Sequence, residues 1–234
     1  MPERSSSGRA ARGLTLAVDV VLFTPLGTDL AVLLAPAGTA RTHGGHGRER
    51  SGLPTDTLRV DESLDDAAIR IARDALGGDA MPSLLEQAAT LGGSRRTADG
   101  PNVSVTYFGL VPEPRGPKRA GWVPLSALPP MPARQRHMID AALAAMRSRV
   151  DQQPIAFRLL RPVFTLSELQ TVYELLLGRG LHKASFRRAL RSSSLVEATD
   201  EWRSEGRGRP AQLFRYAPPR RRRQRRGIRF DVLG

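Results

Sequence analysis

The sequence predicts an α+β/α/β chain of two domains, and three observations carry that prediction. Within the first 150 residues, runs with the composition of strands flank a helix of strongly one-sided pattern, and a second helix closes the segment. In residues 151–217 two short helices surround a glycine-containing turn, and two strands around a second turn follow them. Positive charge separates the two parts: residues 151–234 hold 18 Lys+Arg against 8 Asp+Glu, residues 1–150 hold 18 against 15, and the whole chain carries +13.

Composition excludes several classes of function. The 234 residues, 40% of them hydrophobic, have room for one large or two ordinary domains. No run approaches the roughly 20 apolar residues of a membrane span. The opening MPERSSSGRAARG lacks the apolar core of a signal peptide, so a cytoplasmic protein without membrane contact is expected. With no cysteine there are no disulfides, thiolate nucleophiles or zinc fingers, and a metal site would draw on 4 His and on carboxylates. The polarised charge points to a polyanion, and in the absence of a membrane segment to nucleic acid.

The elements follow in order. Residues 1–12 are small, polar and basic and are expected to be disordered. Leu14 to Phe23 and Leu30 to Leu34 read as strands across a turn from Pro25 to Asp29. Residues 37–52 are glycine-rich and charged, a loop in which His43 and His46 without a carboxylate make an incomplete metal site. Ser63 caps a helix with Asp65 and Asp66 in its first turn, where exposed N–H groups favour carboxylates. Its apolar residues Leu64, Ala67, Ala68, Ile71, Ala72, Ala75 and Leu76 share one face, and Gly77-Gly78 ends it. Leu84 to Leu91 and Val103 to Val111 read as strands. Trp122 leads through a proline-rich turn into a helix from about Pro132 to Val150, with a core stripe of Met138, Ile139, Ala142, Leu143 and Met146.

The capped helix and the residues before it resemble a Nudix box, the pattern G-x5-E-x7-R-E-U-x-E-E-x-G-U with U aliphatic. Asp56 takes the first Gly, Glu62 the first Glu, Arg70 the Arg and Gly77 the late Gly. The remaining acidic positions hold Ile71, Asp74 and Ala75, and the Gly-Gly that normally follows Leu-Pro is Thr55-Asp56. Carboxylates three and four residues apart share a helix face and can hold divalent cations against a diphosphate. Only Asp74 survives of those three, so hydrolysis by the usual metal-dependent route is not expected. Taken by themselves, the same residues equally describe a plain surface helix of an α/β domain.

Asp151 to Pro154 reads as a linker. Beyond it Thr165 and Glu168 form a capping box for a helix from Leu166 to about Leu177, which stops at Gly178. A second helix, from about Lys183 to Ser192, turns Phe186 and Leu190 inward and carries Lys183, Arg187, Arg188 and Arg191 around the rest of its circumference. Glu197 to Tyr216 then reads strand, turn, strand, a wing with Arg207 and Arg209 at its tip. Residues 218–234 form an arginine-rich tail that is expected to stay disordered until it meets DNA.

The run AFRLLRPVFTLSELQTVYELLLGRGLHKASFRRAL, followed by GRGRPAQLFRY, is similar to the C-terminal winged helix of the Nudix-related transcriptional regulators of NAD metabolism, the NrtR-like family. With the Nudix-like part, the resemblance covers roughly residues 13–217. It implies an N-terminal Nudix-like α/β/α sandwich over 13–150 that senses ADP-ribose or a related nucleotide, and a winged helix-turn-helix over 151–217. The implied protein is a repressor that acts as a homodimer on a palindromic double-stranded operator, without a cofactor or catalytic residues. Its DNA-contacting residues would be Lys183, Ser185, Arg187, Arg188, Arg191, Arg207 and Arg209, and its nucleotide-contacting residues Arg59, Glu62, Arg70 and Asp74. Two alternatives stand beside this reading: a Nudix-type nucleotide diphosphate hydrolase associated with nucleic acid, and an RNA-bound scaffold suggested by the tail alone. A helix-turn-helix with a wing favours duplex DNA over RNA, whose A-form major groove is too narrow for a recognition helix.

Overall fold

The structure, a computed structural model, describes residues 15–35, 51–78, 80–92, 103–114, 121–204 and 210–218. Residues 1–12, His43, His46, Arg207, Arg209 and the tail from residue 219 lie outside the described residues.

A mixed sheet forms the first layer system. Its strands are β1 (Leu16–Leu26), β2 (Asp29–Leu34), β3 (Thr55–Thr57), β4 (Leu84–Gly92), β5 (Val103–Leu110) and β6 (Gly121–Pro124). They run in the order β4-β5-β1-β2-β6, with β3 paired to β1, and β1 and β5 are parallel while the other pairs are antiparallel. Successive side chains of β1 point to opposite faces, and both faces are covered. Val18, Val20 and Leu22 pack with Val105 and Tyr107 against helix α1 (Leu64–Leu76). Val21 and Phe23 pack with Val32, Phe108 and Leu110 against helix α2 (Ala133–Val150). The result is an α/β/α sandwich.

The caps expected for α1 form. Ser63 Oγ accepts a hydrogen bond from the Asp66 N–H at 3.1 Å, and Gly77 ends the helix in the left-handed region at φ 95°. Two expectations need correction. The first turn contains only Gly27 and Thr28, because Pro25 and Leu26 still pair with Leu30 and Asp29. Trp122 lies in strand β6 and pairs with Leu33, since a four-residue strand at a sheet edge is too short to show a period.

The second unit begins without a free linker. After Asp151–Pro154 a 3₁₀ turn, Ile155–Leu159, buries Ile155, Ala156, Phe157 and Leu159 in the same cluster that holds Met146 and Val150 of α2. Strand β7 (Val163–Phe164), helices α3 (Leu166–Leu177) and α4 (Lys183–Ser193), and strands β8 (Val196–Arg203) and β9 (Ala211–Tyr216) complete it, with sheet order β7-β9-β8. Phe157 stacks near Tyr216 at 4.6 Å between ring centroids, and Tyr173 meets Phe186 edge-on at 5.7 Å. Each fully buried aromatic contributes about 1.5–3 kcal/mol from its area alone. The helix-turn-helix is therefore seated on the sandwich by one continuous apolar core.

Candidate DNA-reading and effector sites

The DNA-reading geometry starts at the cap of α3. Thr165 Oγ1 accepts from the Glu168 N–H at 3.1 Å, and Glu168 Oε2 accepts from the Thr165 N–H at 2.6 Å. The other Glu168 oxygen pairs with Arg203 of β8 at 2.7 Å, which ties the wing to the start of α3. At the far end, Glu174 Oε1 accepts from the Leu181 N–H at 2.8 Å, while Gln170 Nε2 donates to the Leu181 carbonyl at 3.0 Å. These bonds fix the turn between α3 and α4.

On α4, Phe186 and Leu190 are fully buried, which sets the rotation of the helix. Lys183, Arg187 and Arg191 then fall at i, i+4 and i+8 on one stripe, and Arg188 lies one step around. Lys183, Arg188 and Arg191 are exposed, Arg187 and Ser185 half-buried. Among the described residues no carboxylate forms an ion pair with any of these four cations. Ser185 Oγ lies 3.2 Å from His182 Nδ1 at the N-terminal turn.

In the Nudix-like segment, the structure joins Arg70 to Glu62 in a bidentate pair, with Nε to Oε1 at 2.7 Å and Nη2 to Oε2 at 2.8 Å. Arg70 Nη1 also donates to Asp56 Oδ2 at 2.7 Å, and the Arg59 backbone N–H donates to Glu62 Oε2 at 3.1 Å. Hydrogen bonds from Arg70 hold the Glu62 carboxyl at about 2, well below the usual carboxylate range. These residues form an internal clasp between the loop and α1. The Arg59 side chain is exposed, and Asp74 stands exposed on α1, with no hydrogen bond joining it to the clasp among the described residues. Ile71 is 4% exposed and packed in the core with Val20 and Val105. Among the described residues no group of three His, Asp or Glu is placed to hold a metal ion.

A second polar group, on the opposite face of the sheet, was not anticipated. Asp19 of β1 is 6% exposed and lies in register with Thr106 of β5 and Thr55 of β3. Burial pushes the Asp19 carboxyl up, against the hydroxyls of Thr55 and Ser104 and the charge of Arg134, which pull it down. Arg134 Nη2 donates to Ser104 Oγ at 3.0 Å and to the Leu91 carbonyl at 3.2 Å. Gln135 sits against Gly52, where a Cβ would come within 2.9 Å of its amide nitrogen. Four buried atoms here lack a hydrogen-bond partner among the described residues: Asp19 Oδ2, Thr106 Oγ1, Arg134 Nε and Gln135 Oε1. Leaving such atoms unsatisfied costs about 1–3 kcal/mol each, so the group is prepared for water or a polar ligand. The sequence did carry a signal, a lone Asp in the apolar strand LAVDVVLF and alternating hydroxyls in VSVTYF.

Comparison with known proteins bears on both sites. Residues 156–216 match the NrtR DNA-binding winged helix domain. The ADPR responsive transcriptional repressor NtrR of Acinetobacter baylyi is 34% identical over 168 residues, which span 68% of this chain and 66% of that protein. The crystal structure of Shewanella oneidensis NrtR complexed with a 27mer DNA superposes with a TM-score of 0.69 at 31% identity, covering 87% of this chain and 94% of that one. The chain belongs to the NrtR family. A MutT/nudix family protein from Enterococcus faecalis, 19% identical with a TM-score of 0.64 over 93% of this chain and 89% of that one, shares the fold. The NrtR domain match runs from the 3₁₀ turn through β9, and so contains the whole arrangement of α3, α4 and the wing strands. No helix among the described residues is long and apolar enough to cross a membrane.

Proposed function

We propose that this NrtR-family chain is a transcriptional repressor that binds double-stranded operator DNA through α4 and its wing, and releases it when ADP-ribose or a related nucleotide binds the Nudix-like domain. The observation that carries the reading is the basic stripe on α4, without an ion-pair partner among the described residues and held outward by buried Phe186 and Leu190, in a chain related to an ADPR responsive transcriptional repressor and to an NrtR solved with a 27mer DNA. Lys183, Ser185, Arg187, Arg188 and Arg191 read or clamp the DNA, joined by Arg207 and Arg209. One module reads only a short half-site, so the chain acts as a homodimer on a palindrome with half-sites about one helical turn apart. Repression takes place in the cytoplasm, where the operator is.

The effector is held by the buried polar group around Asp19, Ser104, Thr106, Arg134 and Gln135, which offers unpaired donors and acceptors to a ligand with hydroxyl and ring-nitrogen groups. Arg59 and Asp74, both exposed on the α1 side of the sheet, are separate candidate contacts for the nucleotide, and Glu62 and Arg70 fix the loop beside them. The domain is a sensor without hydrolytic activity, supported by the apolar side chains at positions 71 and 75. The test is selection of genomic fragments by the purified protein, followed by fluorescence anisotropy with and without ADP-ribose. Enrichment of a palindrome whose affinity falls with ADP-ribose supports the proposal. Fragments without a common sequence, or an affinity indifferent to nucleotide, refute it.

A further inference from the structure

Helix α2 touches both sites. Its 18 residues span about 27 Å at 1.5 Å per residue. Its first turn places Arg134 and Gln135 in the buried polar group, where Arg134 bridges Ser104 and the Leu91 carbonyl. Its last turns bury Met146 and Val150 in the core shared with Tyr173 and Leu176 of α3. Between these two lies Arg147, whose Nε donates to the Leu176 carbonyl at 2.9 Å.

That carbonyl is one of the four that α3 leaves without an intrahelical partner at its C-terminus, where a cation is also favoured by the helix dipole. The guanidinium occupies the space beside Gly178 that a Cβ would fill, with Nη2 only 2.5 Å from the ideal Cβ position. Gly178 is in the left-handed region at φ 68° and opens the turn that leads into α4. The turn thus has two locks. Gln170 and Glu174 hold its Leu181 side from within the helix-turn-helix, and Arg147 holds its Gly178 side from the other domain.

We propose that Arg147 is a positioning residue for DNA reading and the point at which effector binding is transmitted. It caps α3 from outside and so fixes the angle at which α4 is presented. A ligand that takes the donors and acceptors of the polar group competes with Ser104 and Leu91 for Arg134. The first turn of α2 then shifts, and a stiff helix carries the shift to Arg147, withdrawing the cap. Arg149 sets the resting register: it pairs with Glu86 at 2.6 Å and lies 5.1 Å from the centre of the Phe108 ring. The inference rests on the effector reading above only for what moves α2; the capping role stands on the contact itself.

The experiment compares full-length wild type, Arg147→Ala and Arg147→Lys. It measures operator affinity with and without ADP-ribose, ADP-ribose affinity of the free protein, and amide exchange across residues 178–182. Arg147→Ala is expected to weaken operator binding about threefold to tenfold, the size of one exposed charged cap. It should also speed exchange in the turn, tighten ADP-ribose binding to the free protein by no more than the same factor because the ligand no longer displaces the cap, and shrink the effect of ADP-ribose on the operator toward none. Arg147→Lys keeps the charge and should recover part of the operator affinity. An Arg147→Ala protein that keeps the wild-type response to ADP-ribose, with the turn equally protected, overturns the proposal. If wild type itself ignores ADP-ribose, the effector reading fails instead. The capping role is then decided by operator affinity and turn exchange, and wild-type values in Arg147→Ala overturn it. Thermal unfolding of each variant separates a loss of fold from a loss of positioning.

Discussion

Replacing Arg187, Arg188 and Arg191 together by alanine isolates the contribution of α4. Arg188 and Arg191 are exposed and none of the three is in an ion pair with a described carboxylate. Alanine is a better helix former, so folding stability should stay within about 0.5 kcal/mol. The effect on DNA is much larger. Removing one arginine that neutralises a phosphate lowers the slope of log affinity against log salt by about 0.9, so removing three such arginines lowers it by about 2.7. A side chain that instead reads a guanine edge costs about 1–3 kcal/mol on the cognate operator alone and leaves the slope for non-specific DNA unchanged. Fluorescence anisotropy on operator and scrambled duplexes, from about 50 to 200 mM salt, separates these outcomes. A triple variant with the wild-type slope and the wild-type preference for operator would refute the assignment of α4 to the DNA interface.

Further outcomes follow from the same structure. The Glu62 carboxyl is held at about 2 by Arg70 against an ordinary value of 4.5, so its stabilisation is complete above about pH 5 and lost as pH falls toward 2. Glu62→Gln should flatten that acid limb in urea unfolding, and an unaltered limb would show that the clasp does not contribute. Asp19 has the opposite sign, since burial raises its folded value and its charged form weakens the fold as pH rises through that value. Asp19→Asn should therefore raise stability at neutral pH while lowering ADP-ribose affinity in calorimetry; unchanged affinity would exclude Asp19 from the effector site. Incubation with ADP-ribose, NADH or nucleoside triphosphates plus Mg²⁺ or Mn²⁺ should give no turnover, and robust hydrolysis abolished by Glu62→Gln would contradict the sensor assignment. Thr165→Ala, which removes the cap of α3, should cost about 1 kcal/mol in thermal unfolding, and no loss would show that the capping box is redundant.

The legible parts of the sequence were those governed by local rules. Ser63 and Thr165 announced their helices because an N-cap acts within four residues, and Gly77 and Gly178 ended them for the same reason. Phe186 and Leu190 gave the rotation of α4 through spacing alone. The winged helix was legible as order: helix, turn, basic helix and two strands. Features that depend on tertiary partners were not. β6 is made by pairing Trp122 and Val123 to β2, and β7 is two residues held by β9; neither has a period to read. The polar group was hidden because Asp19, Ser104 and Arg134 lie on three separate elements. Arg70 and Glu62 were legible as a pair of motif positions, yet only the fold shows them spent on each other and on Asp56. The contact of Arg147 with the end of α3 depends on how the two units pack, which no local pattern encodes.

The central claim is that one nucleotide site and one DNA site are coupled. Linkage makes that coupling reciprocal: the factor by which ADP-ribose lowers operator affinity must equal the factor by which operator lowers ADP-ribose affinity. The direct measurement is titration calorimetry of ADP-ribose into free protein and into operator-bound protein near physiological salt, which suppresses non-specific binding to DNA. The expected result is weaker nucleotide binding to the complex, by the same factor that anisotropy gives for operator release. A single ADP-ribose affinity in both states would contradict the account.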